Sequence, residues 1–304
     1  VLQIGHHLRY HPIYALAKFK FVDAGLLGKI HHVHCEWNRN SSWRRIPPDT
    51  ELNFAKWGYN DTDELFNWRL YRKYSGGLMT ELASHQLDVV NWFLDGRPNA
   101  VYGAGHIDRP DGRTIFDNVD LIYEYPEKVK VTYQSMTMNA YNPFGWEAYE
   151  MFKGDKGTLV LTHLAPKFTG MFFLEPDVPE PLWMPLAKKV SFDTGNLRRK
   201  EYKQAVVVGY ETRATGKTIS GIDLATLLQP GIAKSTYELE MLDFKHAVLD
   251  RVVPACNGMV GMQSAIPALI GYDSMEAQQR VAIADDIESL APKEGEEEAE
   301  SASA

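Results

Sequence analysis

Apolar residues along this chain recur with two periods, and the two periods divide it into helices and strands. Steps of three and four residues run through 13–24 (Ile13, Leu16, Ala17, Phe19, Phe21, Val22), 78–94 (Met79, Leu82, Val89, Val90, Phe93), 237–252 (Leu239, Leu242, Phe244, Ala247, Val248) and 262–279. That spacing gathers apolar side chains on one side of a helix. Apolar residues alternate instead through 30–38, 100–107, 119–125, 129–138, 146–152 and 158–161, which predicts strands, with a short one at 281–283. Val1–Gly5 reads as a further short buried strand, and Pro12 suits the first turn of the helix that follows. Tyr125–Lys128 and Lys153–Gly157 read as hairpin turns, so successive strands should pair antiparallel rather than through βαβ crossovers. The fold expected is α+β: a large, mainly antiparallel open sheet with helices packed on one face, because their apolar stripes need a sheet to cover. The other face would be free to self-associate, so a homo-oligomer through the sheet face is expected.

The helix predicted at 78–94 departs from a plain amphipathic pattern. Gly76 and Gly77 open it, and Asp95-Gly96-Arg97-Pro98 closes it, with Gly96 suited to a left-handed cap. Inside it, Glu81, His85 and Asp88 fall at i, i+4 and i+7, one polar line on a helix whose flanks are apolar. A carboxylate one turn from an imidazole raises its pKa and fixes its tautomer, which is what a general acid/base needs. A solvated charged face is the plainer reading of the same string. If His85 is an acid/base, its ring should face a cavity bordered by residues 40–74 and the Arg9–His11 turn.

Between Asn40 and Tyr74 the periodicity fails, and the segment is dense in Trp43, Arg44, Arg45, Trp57, Tyr59, Trp68, Arg69, Tyr71 and Arg72. Flat aromatic faces and forked guanidinium donors suit a polyhydroxylated ligand such as a sugar; a loop docked by its own aromatics is the alternative. On the strand at 30–38, His31, Val33, Cys35 and Trp37 share one face, and His32, His34, Glu36 and Asn38 the other.

Composition changes this picture in two places. The net charge of −8 is concentrated at the C-terminus: residues 285–304 hold eight acids and one lysine, a net of −7, which leaves −1 for the rest. That stretch is expected to be a disordered acidic tail, and a near-neutral body without a basic stripe argues against nucleic-acid binding. No apolar run approaches the roughly 20 residues of a membrane span. Cys35 and Cys256 have no zinc spacing and fit two buried thiols or one bridge, so cytoplasm and periplasm both stay open.

The order of these elements resembles the Gfo/Idh/MocA oxidoreductases, the family of glucose–fructose oxidoreductase and inositol dehydrogenase. Ile4-Gly5-His6-His7-Leu8-Arg9-Tyr10-His11-Pro12, followed by a helix and Gly25-x-x-Gly28, resembles the junction where that family's nucleotide domain passes into its substrate domain. Gly76-Gly77-x3-Glu81-x3-His85-x2-Asp88 resembles the family motif whose histidine is the catalytic acid/base, with Glu81 where Asp is commoner and Ala83 where Gly is. Gly154-x-x-Gly157-Thr158 resembles a turn between its sheet strands. The resemblance implies residues 1–12 as the end of a nucleotide-binding domain or its junction, and 13–284 as a substrate and oligomerisation domain. It also implies a sugar or polyol dehydrogenase using NAD or NADP, with His85 as acid/base oriented by Glu81 or Asp88. Arg9, His11, Trp37, Asn38, Arg39, Arg44 and Tyr71 become the candidate sugar contacts, and Trp68-Arg69 resembles a pair near the cofactor. No glycine-rich phosphate loop follows a strand in the sequence, so a nucleotide domain is expected to be absent from this chain, which alone should not bind NAD(H) tightly.

Two other classes remain open at this stage. Histidine density would suit a metal-dependent, nicotinamide-free hydrolase or lyase acting on a modified sugar, with His32, His34 and Glu36 or Glu81, His85 and Asp88 as ligands; no metal site is assigned. A non-catalytic assembly subunit is the third.

Overall fold

A computed structural model describes residues 1–49, 54–141, 147–163, 170–186, 189–191, 204–208, 218–219, 222–223 and 235–284. Ten strands form one sheet: β1 (Ile30–Trp37), β2 (Ala100–His106), β3 (Asn118–Glu124), β4 (Lys130–Met136), β5 (Ala148–Gly154), β6 (Gly157–Leu161), β7 (Gly170–Leu174), β8 (Lys189–Ser191), β9 (Gln204–Val207) and, after a separate ribbon of β10 (Thr218–Ile219) with β11 (Ile222–Asp223), β12 (Val281–Ala282). Their order is β12-β2-β3-β4-β1-β5-β6-β7-β9-β8, and every pairing is antiparallel except β1 with β4. The expected open α+β sheet is therefore present. The parallel pair arises because β1 enters early in the chain and inserts between strands that hairpins join later.

Register decides what lies on each face, since residues paired across strands share one. Val33 pairs Val131 and Phe152, Cys35 pairs Tyr133 and Glu150, and Tyr133 pairs Leu121. All of these point into the main core, where their solvent exposure is 2% or less. Three helices meet that face, α1 (Pro12–Ala17), α3 (Ser84–Leu94) and α5 (Gly258–Ala277), while α4 (Thr236–Asp250) packs on the His7–Tyr10 turn. Phe93 of α3 stacks on Phe152 at 4.8 Å between ring centres, and Phe21, just past α1, meets Phe172 edge-on at 5.3 Å. Pro267 has no N–H to give the Gln263 carbonyl of α5, and Asn91 Nδ2 of α3 donates to that carbonyl at 3.1 Å instead. The opposite face carries His32, His34, Tyr102, Asp120, Ile122, Thr132 and Gln134 around a shallow depression of about 620 Å³. Among the described residues, the β5–β9 end of that face has a cluster of its own, Tyr149, Val160, Met171 and Ala205.

Several expected details are corrected. Val1–Gly5 is not a strand; Val1 and Leu2 are exposed, and Ile4 packs on Gly261 instead. The helix predicted at 78–94 begins as a π-helical turn, Met79–Ala83, before α3 takes over at Ser84, and 13–24 likewise ends in a π turn at Lys18–Val22. Asp95, not Gly96, takes the left-handed cap (φ 48°), and its carboxylate holds the buried Lys18 ammonium at 2.8 Å. Gly77 does need to be glycine: its φ is 56° and a Cβ would lie 2.6 Å from Ile115. Among the described residues of 40–74 one α-helix forms, α2 (Thr62–Phe66), capped by Asp61. Residues 3–10 lie in the same core as the helices: the Ile4 amide donates to the Cys256 carbonyl, and the Tyr10 hydroxyl to Asp243 at 2.7 Å. Cys35 and Cys256 are buried free thiols. The acidic 285–304 stretch lies outside the described residues, as do parts of the 174–235 segment.

Candidate active site

The line Glu81–His85–Asp88 does not act as one unit. The π turn at Met79–Ala83 and the partners available at each level send the three side chains to different neighbours. Asp88 is fully buried and accepts a two-pronged bond from Arg9, 2.7 Å from Nε and 2.9 Å from Nη2, while His6 Nδ1 lies 3.3 Å away. Glu81 accepts from Arg69 Nε at 2.7 Å, and that guanidinium lies over the Trp68 ring at 4.9 Å. His85 bonds to neither carboxylate, and its Nδ1 is buried without a partner.

His85 stands in the wall of a second cavity of about 620 Å³, lined also by His7, Trp37, Ser41, Trp43, His163, Tyr237, Leu82, Glu81 and Arg39, Arg44, Arg45 and Arg69. The 40–74 segment borders it as expected, but the N-terminal turn contributes His7 rather than Arg9 or His11. Ring centres lie 5.1 Å apart for His7 and His85, 5.8 Å for His7 and His163, and 5.0 Å for Trp37 and His163. Burial dominates their titration and favours neutral rings. It lowers His85 to about 3, helped by His6 and His7 and opposed by Asp88, and it lowers His163 to about 3 and His7 below its usual value. The expectation that Glu81 would favour the imidazolium is thus overturned: its charge is directed to Arg69.

Five of the nine buried polar side-chain atoms without a hydrogen bond among the described residues belong to this lining: Trp37 Nε1, Arg39 Nε, Arg44 Nε, His85 Nδ1 and His163 Nδ1, although Arg39 Nε lies 2.5 Å from the Glu147 carboxylate and Arg44 Nε 3.7 Å from that of Asp111. Buried polar groups are normally paired, so such a concentration marks where a ligand would complete the bonding. Trp43 adds backbone strain, a bulky residue held at φ 61°. Arg39 bridges the two aromatic walls, 5.2 Å from the Trp37 ring and 5.8 Å from that of Trp43.

Of the residues singled out by sequence, His85, Glu81, Trp37, Arg39, Arg44 and Arg69 line the cavity, with Trp68 stacked behind Arg69. The rest are committed elsewhere. Arg9 is tied to Asp88. The His11 ring caps α1 by accepting from the Ile13 amide at 3.3 Å. Asn38 donates to Glu36 and accepts from the Met136 amide, both at 3.0 Å, fastening the end of β1. Tyr71 donates its hydroxyl to Asp63, which also holds Arg44 and Asn67. His163 and Tyr237 had no local pattern to mark them, while Arg45 stood among the guanidinium donors of 40–74 and His7 in the Ile4–Pro12 stretch, neither picked out as a contact. The four come from distant stretches that only the folded chain brings together.

Neither cation set considered from sequence closes on an ion. His34 Nδ1 pairs with Thr132 at 2.9 Å on the open face, and Glu36 is held by Asn38 and Tyr149. Among the described residues the His/Cys/Asp/Glu group with ligand spacing is His6, Asp88 and Cys256. There Arg9 already neutralises the carboxylate, and burial pushes the thiol up to about 12, against the thiolate a metal requires.

An α+β sheet domain with helices on one face and an aromatic, arginine-lined cavity at the helix side is the class that fold and site define. The family model of the GFO/IDH/MocA C-terminal domain matches residues 17–160, just under half of the chain. Levoglucosan dehydrogenase, in a complex with NADH and levoglucosan, superposes with a TM-score of 0.63 at 15% identity, covering 93% of this chain and 66% of its own. The aldose-aldose oxidoreductase from Caulobacter crescentus, complexed with glycerol, gives 0.56 at 16% identity over 93% and 64%. YteT of Bacillus subtilis (strain 168), by name a candidate oxidoreductase, is 24% identical over 102 residues, 34% of this chain and 20% of YteT. At these identities the structural likeness is one of fold, and the chain spans less than two thirds of each of these relatives.

Proposed function

We propose that this chain is the substrate domain of an NAD(P)-dependent sugar or polyol dehydrogenase, with His85 exchanging the proton of the reacting hydroxyl. The observation that carries this is the buried His85 Nδ1, without a hydrogen bond, in a cavity whose other buried polar atoms without one come from tryptophan, arginine and histidine side chains. Oxidation of a carbinol needs a base within hydrogen-bond reach of the hydroxyl. Burial keeps His85 neutral, the protonation state that accepts. Trp37 and Trp43 offer flat faces for the sugar ring, and Arg39 and Arg69 offer donors to its oxygens. Of the proteins of like fold named above, levoglucosan dehydrogenase was captured with NADH and levoglucosan and the aldose-aldose oxidoreductase with glycerol, which supports this substrate class.

This chain's own residues do not fit the dinucleotide. Its sequence has no glycine-rich turn that leads from a strand into a helix to cradle a pyrophosphate, so no step is derived through the cofactor. The proposal is tested on the complete enzyme, with its nucleotide-binding domain, by measuring turnover and Tm of His85→Asn on one preparation. Unchanged turnover per folded molecule removes His85 from the mechanism.

The open sheet face is proposed to pair with a second copy, because Tyr102 (48% exposed) and Ile122 (45%) stand uncovered on it. Light scattering should show a homo-oligomer that Ile122→Glu disperses; a monomeric parent at micromolar concentration refutes it.

A further inference from the structure

We infer that the cavity takes a sugar bearing an anionic group, such as the carboxylate of a sugar acid, in preference to a neutral sugar. This rests on the reading of the cavity as a sugar site. A hydroxyl both donates and accepts, so a pocket for a neutral sugar needs protein acceptors as well as donors. This wall has acceptors in its neutral imidazoles, Ser41, Tyr237 and Glu81, but its charge is weighted to donors. Four guanidinium groups line it against one carboxylate, Glu81, and three of its orphaned atoms (Trp37 Nε1, Arg39 Nε and Arg44 Nε) can only donate.

The four arginines are not equivalent. Arg44 is spent on the protein, its Nη1 on Asp63 and its Nη2 on the Asp111 carbonyl. Arg69 turns only Nε to Glu81, and Arg39 only Nε toward Glu147, at 2.5 Å but out of line for a hydrogen bond. Arg45 is anchored through its backbone alone: its amide donates to Asn67 Oδ1 at 2.7 Å, and its carbonyl accepts from Asn67 Nδ2 at 3.0 Å. Among the described residues, the terminal nitrogens of Arg39, Arg45 and Arg69 therefore make no hydrogen bond. Three open forks around one cavity match an acceptor-only group, which a carboxylate, phosphate or sulfate is and a hydroxyl is not.

The test is a fluorescence titration, using the two cavity tryptophans, with glucose and galactose set beside their uronates and 6-phosphates. At low salt the charged member of each pair should bind at least about tenfold more tightly, an advantage that shrinks as salt rises. Arg45→Gln, a substitution at an exposed side chain, should cut that ratio several-fold and leave the neutral sugars where they were. A preference for uronate or for phosphate identifies the anion and upholds the inference. Equal binding of neutral and charged sugars overturns it and leaves the sugar site standing, as does a ratio that Arg45→Gln fails to move. Binding of none of the six removes both readings.

Discussion

One helical turn separates two buried polar clusters with opposite hydrogen-bond balance. Around Asp88 the bonding is closed: Arg9 grips both carboxylate oxygens, His6 stands at 3.3 Å, and Ser264 in turn meets His6 Nδ1 at 3.2 Å. Around His85 the bonding is open, with ring nitrogens, an indole N–H and guanidinium groups left over at a cavity. Both sit on the same element and both look alike as sequence. The closed cluster has nothing further to offer a ligand, and its removal would cost the fold. The open cluster keeps polar atoms without a hydrogen bond, which is where a ligand would complete the bonding.

The largest expected effects come from crossing the two. His85→Asn should lower turnover by about 10²–10⁴-fold, the range for loss of a general base, with Tm near that of the parent. Asp88→Asn should do the reverse: it strands the Arg9 guanidinium and costs about 3–5 kcal/mol in denaturant unfolding, with turnover per folded molecule within a few-fold. If both variants lose turnover alike at unchanged stability, the contrast between the clusters is false.

Smaller, and specific to the open cluster, is a pH effect. His85 and His163 are held neutral down to about 3, and His11, buried near them, to about 4, whereas each titrates near 6.5 in an unfolded chain. Between those values the unfolded state binds more protons, so their contribution to stability is whole above about 6.5 and lost as pH falls toward 3. Glu150 acts oppositely: burial lifts it to about 7, so its contribution holds below its ordinary carboxylate value near 4.5 and fades as pH rises through 7. A difference measurement cancels it. The Tm of His163→Asn relative to the parent should rise steadily as pH is lowered from 6.5 to 4, and a flat difference would mean that His163 is not held neutral.

Much of the fold could be read from the sequence, and the reason is burial. The strands at 30–38 and 119–125 alternate because one face packs on helices and the other does not, and the helix at 237–252 carries a full capping box at Ser235 and Glu238. His85 could be found because its motif is local. Its partners could not be assigned, because spacing gives proximity along a helix but not the competition for each side chain. Arg69 captures Glu81, and Arg9 captures Asp88, from positions 12 and 79 residues away. The same limit explains why Tyr71 and Asn38, chosen for chemistry alone, prove to be held by Asp63 and Glu36, while His163 and Tyr237 escaped notice.

The smallest expected effect, Glu81→Gln, sharpens the comparison most. Its ion pair with Arg69 is half-open to solvent, 43% exposed on the arginine and 25% on the carboxylate, so its loss should cost no more than about 1 kcal/mol. The informative quantity is the pH profile of turnover. If Glu81 oriented His85 and favoured its protonated form, neutralising it would move the acidic limb of the profile to lower pH and cut turnover sharply. The structure directs the Glu81 carboxylate to Arg69 and leaves the His85 ring without a bond to it. The acidic limb should therefore stay where it is, with any change falling on KM, because freeing the Arg69 Nε adds one more donor to the cavity wall. A shifted limb would return Glu81 to the catalytic group and show that the motif works as the single polar line its spacing first suggested.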